Sequence, residues 1–197
     1  MTNNIEKERK AMCKKAVLEI RANTYTINTV EQAATKLLNE YSFDTIVPIV
    51  KIITDAGFKI FSLSMPEKIG GYIIIGDRFQ EKLGSDKIIV VNENESINRQ
   101  RFSLAHEFGH FLLDANAKNN PEYYDAFESD TNKNDLERCI DRFAAELLMP
   151  TDLFKNKFSR VKKDISDGYE IIKALAELFA VPFEAVKRRI EEVGEQL

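Results

Sequence analysis

His106-Glu107-Phe108-Gly109-His110 holds both histidines of a 197-residue chain. At helical spacing, residues i and i+4 lie one turn apart on one face. Two imidazoles so placed can grip one Zn²⁺ from the same side. Glu107, three residues before His110, shares that face and reaches a water on the metal, as a metal-dependent hydrolase requires. The flanking residues predict the helix. Ser96 follows the polar stretch Asn92-Glu93-Asn94-Glu95 and is suited to cap it. Ile97, Arg101, Leu104, Ala105, Phe108, Phe111 and Leu112 recur at helical spacing. The helix should run to about Asp114 and give way to Ala115-Asn116-Ala117-Lys118-Asn119-Asn120-Pro121. Gly109 inside it costs about 1 kcal/mol relative to Ala, and its small size suits a close approach to a strand or to the metal.

Two histidines leave a catalytic zinc site one protein ligand short. The residues after His110 lack the Gly and third His that extend the motif in metzincins. The third ligand is therefore expected to be a carboxylate. Candidates are Asp114, Glu122, Asp125, Glu128, Asp130, Asp135, Glu137, Asp141 and Glu146. Residues 135–149 read as a second helix, with Leu136, Ile140, Phe143, Ala144, Leu147 and Leu148 as its apolar stripe and Pro150 as its stop. Glu137 and Asp141 lie i,i+4 along the edge of that stripe. Glu137 is the favoured ligand. Asp141 would accept a hydrogen bond from the other N–H of one histidine and fix its tautomer. Read simply as surface acids near a helix start, both would complement the helix dipole.

The stretch Arg99-Gln100-Arg101-Phe102-Ser103-Leu104-Ala105-His106-Glu107-Phe108-Gly109-His110-Phe111-Leu112-Leu113 resembles the active-site helix of the ImmA/IrrE family of metallo-endopeptidases. Phe143-Ala144-Ala145-Glu146-Leu147-Leu148-Met149-Pro150 is similar to that family's second hallmark, and Gly70-Gly71-Tyr72-Ile73-Ile74-Ile75 fits its sheet. The resemblance covers roughly residues 45–150. It implies a zinc site completed by a Glu a few residues before the Phe-Ala-Ala stretch, a role that Glu137 matches. The chain departs from the family at Cys139-Ile140-Asp141, where Glu-Ala-Asn is frequent. Were that later Glu the family's ligand, Cys139 would stand in its place. The resemblance also implies a substrate. Such proteases are associated with mobile elements and stress responses and cleave a helix-turn-helix repressor.

Outside the motifs, residues 5–21 read as a basic helix bearing Lys7, Arg9, Lys10, Lys14 and Lys15, with Met12, Ala16 and Ile20 on another side. Its charges read first as a solvated face. Residues 29–41 and 45–56 read as further helices, the latter closed by Gly57. Three strands follow, at 58–65, 71–76 and 87–92. Together they suggest an α+β, zincin-like fold: a small three-stranded sheet packed with the active-site helix and several further helices. The strand ending near Asn92 is expected at the sheet edge, where an extended peptide could add to it. A long polar loop is expected from about Ala115 to Asn134. Its Tyr123 and Tyr124 are candidates to stabilise an oxyanion or simply to pack on the domain.

The chain is expected to form a single domain over 1–197, with an N-terminal helical part (1–56), a zincin-like core (57–150) and a C-terminal helical appendage (151–197). Residues 175–190 look like a helix-turn-helix sequence with Ala180 at the turn, where Gly is frequent. Lys187, Arg188 and Arg189 could touch phosphates, but Glu184, Glu191 and Glu192 dilute them. With a net charge of −4, no global field favours nucleic acid, which is not an expected partner. Two cysteines, Cys13 and Cys139, are too few for a disulfide framework. With no leader-like start and no long apolar run, a cytoplasmic location without a membrane span is expected. The functional expectation is a zinc endopeptidase acting on a repressor protein, with Glu107 as base and Zn²⁺ on His106, His110 and Glu137. The alternative is a non-catalytic regulatory binding protein on the same scaffold, with DNA binding through the C-terminal helices a lesser option.

Overall fold

The computed structural model describes residues 2–120, 122–128 and 135–197, with backbone alone at residues 2, 3 and 124–128. Its first three helices are α1 (Thr2–Arg21), α2 (Val30–Leu38) and α3 (Ile49–Asp55). Cys13, Ala16, Val17 and Ile20 form the buried side of α1. Its lysines at 7, 10, 14 and 15 face solvent. Met12, expected with the apolar side, is 52% exposed. Arg9 is the one basic residue of that run turned inward. Its Nε donates to Asp55 Oδ2 at 2.9 Å, and the Tyr41 hydroxyl donates to the same oxygen at 3.1 Å. A carboxylate as buried as Asp55 needs such partners. Gly57, after the cap residue Ala56, has φ 100°, so the predicted glycine stop is present.

The sheet contains β1 (Lys59–Leu63), β2 (Ile69–Ile75), β3 (Lys87–Asn92) and β4 (Tyr123–Glu128). A 3₁₀ turn at Asp77–Phe79 and the short α4 (Gln80–Leu83) separate β2 from β3. The strand order is β1-β3-β2-β4. β3 runs parallel to β1 and antiparallel to β2, and β4 pairs antiparallel with β2. Two expectations are corrected here. The strand ending at Asn92 is interior, because its Ile-Ile-Val-Val run is buried and both its edges are paired. The segment expected to be a long loop contains α6 (Ala115–Asn119) and the edge strand β4. The polar residues flanking Tyr123–Glu128 hid its strand character.

The remaining helices are α5 (Ile97–Leu113), α7 (Asp135–Leu148), α8 (Thr151–Asp164), α9 (Gly168–Phe179) and α10 (Phe183–Glu192). One hydrophobic cluster draws on residues from α1 through α10, including Val17, Ile53, Phe108, Phe143, Phe154 and Ile190. α5 lies between β2 and β3 on one side and α7 on the other. Gly109 marks the crossing with α7: a Cβ there would stand 2.9 Å from Ile140 Cγ2 and 3.1 Å from Phe143 Cδ1. The close approach expected of this glycine is thus to a helix rather than to a strand or the metal. Between α9 and α10, Ala180 adopts the left-handed conformation at φ 52°, a position where Gly is cheaper. Among the described residues, no helix is long and apolar enough to cross a membrane.

Candidate metal centre

α5 begins as its sequence predicts. Ser96 caps it, accepting from the Arg99 backbone N–H at 3.3 Å. Every residue from Phe102 to Leu112 is buried. This half of the helix is enclosed on all sides, more than an amphipathic stripe implies. It carries His106, Glu107 and His110 into the interior at 0%, 0% and 1% exposure. Burying three polar side chains costs free energy unless they are satisfied, and α7 contributes partners for the two histidines.

Glu137 and Asp141 sit one turn apart on α7 and both face His106. Glu137 Oε2 is 3.3 Å from His106 Nε2, and its Oε1 is 3.5 Å from His110 Nε2. The two Nε2 atoms are 3.1 Å apart. These three residues form a group whose ligand atoms all lie within 4.8 Å of one another. A tetrahedral centre with metal–ligand bonds of about 2.0–2.2 Å holds its ligand atoms roughly 3.3–3.6 Å apart, so the donor set, at 3.1–3.5 Å, lies close to the spacing such an ion needs. On its other side, His106 places Nδ1 2.9 Å from Asp141 Oδ1. A proton on Nδ1 donated to that carboxylate leaves the Nε2 lone pair directed at Glu137 and His110. Burial lowers the His106 pKa, but hydrogen bonds to Asp141 and Glu137 and the charge of Glu107 outweigh it, and the net shift is upward.

Glu107 lies against the sheet. A Cβ on Gly71 of β2 would be 3.4 Å from Glu107 Cγ and Oε1, and 2.9 Å from the Val90 carbonyl oxygen. Gly71 thus makes the room that lets the Glu107 side chain pass beside the strand. The sequence showed it as part of an apolar strand, without this role. His110 is backed by Asp114 and Tyr123. The Tyr123 hydroxyl donates to Asp114 Oδ2 at 2.7 Å and lies 3.4 Å from His110 Nδ1. The Tyr123 hydroxyl thus stands on the Nδ1 side of His110, away from Nε2. The side chain of Tyr124 lies outside the described residues.

The other candidate acids are placed elsewhere. Asp114 caps α6, accepting from Asn116 N–H at 2.7 Å. Glu122 pairs with Arg78 at 3.4 Å, and Asp135 is exposed at the start of α7. Glu146 is buried against Arg189. The side chains of Asp125, Glu128 and Asp130 lie outside the described residues. Cys139 is buried and is not in the group with the histidines. Two residues on from Glu137, it points about 200° around the helix, and burial raises its thiol pKa.

The C-terminal helices also differ from the sequence reading. Arg189, one of three candidate phosphate contacts, is fully buried. It donates to the Glu146 carboxylate, to the Met149 carbonyl (2.9 Å from Nη2) and to Thr151 Oγ1 at 2.9 Å. A guanidinium so engaged does not reach a phosphate.

Residues 54–191 match the profile of peptidase family M78, described as the IrrE N-terminal-like domain. A stretch of 73 residues is 34% identical to the radiation response metalloprotease IrrE of Deinococcus deserti, taking in 37% of this chain and 26% of that protein. The chain therefore matches only about a quarter of that relative's length.

Proposed function

The chain belongs to peptidase family M78, and from that premise we propose that it is a zinc-dependent endopeptidase. Its family is metallopeptidase-like and implies a metal cofactor; zinc, the residues that hold it and the substrate are our reading. His106, His110 and Glu137 hold the ion. When bound, zinc acidifies a water towards a pKa of ~7 and polarises a peptide carbonyl. Glu107 takes the proton of the attacking water and passes it to the leaving amine nitrogen. Asp141 holds His106 with Nε2 free to donate its lone pair, and Asp114 with Tyr123 steadies His110. An extended substrate segment adds to the outer edge of β4. That strand neighbours β2, whose Gly71 borders Glu107 and pairs with Phe127 of β4. The substrate is a protein, by resemblance a helix-turn-helix repressor whose cleavage relieves repression.

The observation that carries this reading is the convergence of two imidazole nitrogens and one carboxylate within 3.1–3.5 Å, with a buried glutamate on the same helix. A structural zinc site needs no such base. The test is incubation of zinc-loaded wild type and Glu107→Gln with a mixture of folded helix-turn-helix proteins and unfolded peptides, read by mass spectrometry of new termini. Cleavage by wild type and none by the variant is the expected result. Equal cleavage by both, or none by either, would overturn the endopeptidase reading.

A further inference from the structure

We propose that Arg188 on α10 is a positioning residue for the metal centre, acting through Asp141; this rests on the His106–His110–Glu137 reading above. Asp141 divides its two oxygens. Oδ1 lies 2.9 Å from His106 Nδ1, while Oδ2 lies 3.8 Å from Arg188 Nη1. At 3.8 Å the guanidinium acts on the far oxygen through its charge rather than a hydrogen bond, and it favours the orientation in which the near oxygen holds the imidazole.

An isolated ion pair with a side chain 66% exposed, as Arg188 is, contributes little. This pair differs because its helix is already locked to α7. Arg189, the next residue, is buried and donates to Glu146 and to the Met149 carbonyl at the end of α7. Arg142 of α7 pairs with Glu192 of α10 at 2.9 Å, and Arg189 reaches the same carboxylate at 3.3 Å. These contacts fix α10 along the helix that presents Glu137 and Asp141. Arg188 is therefore delivered to Asp141 without ordering a helix to get there. They also occupy Glu192, one of the acids on α10 within reach of Arg188. In this arrangement the C-terminal helices are an outer support of the site, and displacement of α10 loosens the hold on His106.

The experiment measures zinc affinity of the full chain by competition with a chromogenic chelator, for wild type, Arg188→Gln and Arg188→Lys, with thermal unfolding of each metal-free protein alongside. Loss of a residue that directly orients a ligand typically costs 10–100-fold in affinity, and Arg188 stands one contact further out, so Arg188→Gln should weaken zinc about three- to tenfold. Arg188→Lys keeps the charge and should restore most of that loss. The deficit of Arg188→Gln should shrink at 1 M salt, where wild type also loses the attraction. Melting temperatures should agree. Unchanged affinity in Arg188→Gln, or an equal loss in Arg188→Lys, would overturn the proposal while leaving the metal centre intact. No zinc on the wild type would overturn the metal-centre reading itself.

Discussion

Replacing Gly109 by Ala tests the close crossing of α5 and α7. The new Cβ would stand 2.9 Å from Ile140 Cγ2 and 3.1 Å from Phe143 Cδ1, inside the roughly 3.5–4.0 Å at which carbon atoms rest. Both neighbours are fully buried, so they have little room to yield. Ala gains about 1 kcal/mol of helix propensity over Gly, against an overpacking cost of about 1–3 kcal/mol. The net effect is a destabilisation of roughly 0–2 kcal/mol, a fall in melting temperature of about 0–8 °C for a chain of this size. The larger consequence is local. α7 carries Glu137 and Asp141, and shifting it from α5 spoils the 3.3 and 3.5 Å spacings of Glu137 to the two histidines. Zinc affinity should fall along with stability. Ile140→Leu moves the offending methyl off Cβ, so the double variant should be less destabilised than the sum of the single changes. Denaturant melts of the four metal-free proteins and chelator competition on each would measure both effects. A Gly109→Ala protein stabilised by the full propensity gain, with unchanged zinc binding, would refute the close crossing.

Gly71→Ala should push against the Val90 carbonyl and the Glu107 side chain, lowering peptidase turnover more than zinc affinity; a loss of zinc with turnover per bound zinc preserved would contradict the placement of Glu107. Arg189→Ala strands Glu146 in the core and should cost about 3–5 kcal/mol, read as a lowered denaturant midpoint. A loss below 1 kcal/mol would mean that the pair is solvated. Zinc at a hundredfold over its dissociation constant should stabilise the protein by about 2.7 kcal/mol, raising the melting temperature by about 5–11 °C. Excess chelator should reverse the rise, and an equal rise in His110→Ala would refute binding at this site.

The elements that make the site were legible because their signals are local. Ser96, the helical recurrence and the two histidines fall within a few turns, and α5 begins and ends within a residue of the expectation. Glu137 and Asp141 were legible for the same reason, being one turn apart on a helix that Pro150 ends. What escaped depends on residues far apart in the chain. β4 is a six-residue strand whose partner, β2, lies about fifty residues earlier, and the polar residues around it dominate any window. That β3 is interior follows from the order of strands, to which its own sequence contributes only its apolar run. Arg189 reads as a surface cation until Glu146, 43 residues away, is placed beside it. The tasks of Gly71 and Gly109 are distances between elements and leave no mark on the sequence beyond the missing side chain.

The most direct test of the account is the metal content of the purified wild type, Glu137→Ala and Glu107→Gln proteins, measured together by native mass spectrometry after zinc supply. The account predicts close to one zinc on wild type and on Glu107→Gln, and its loss from Glu137→Ala. Wild type without stoichiometric zinc, or Glu137→Ala retaining it at wild-type affinity, would contradict the proposed centre.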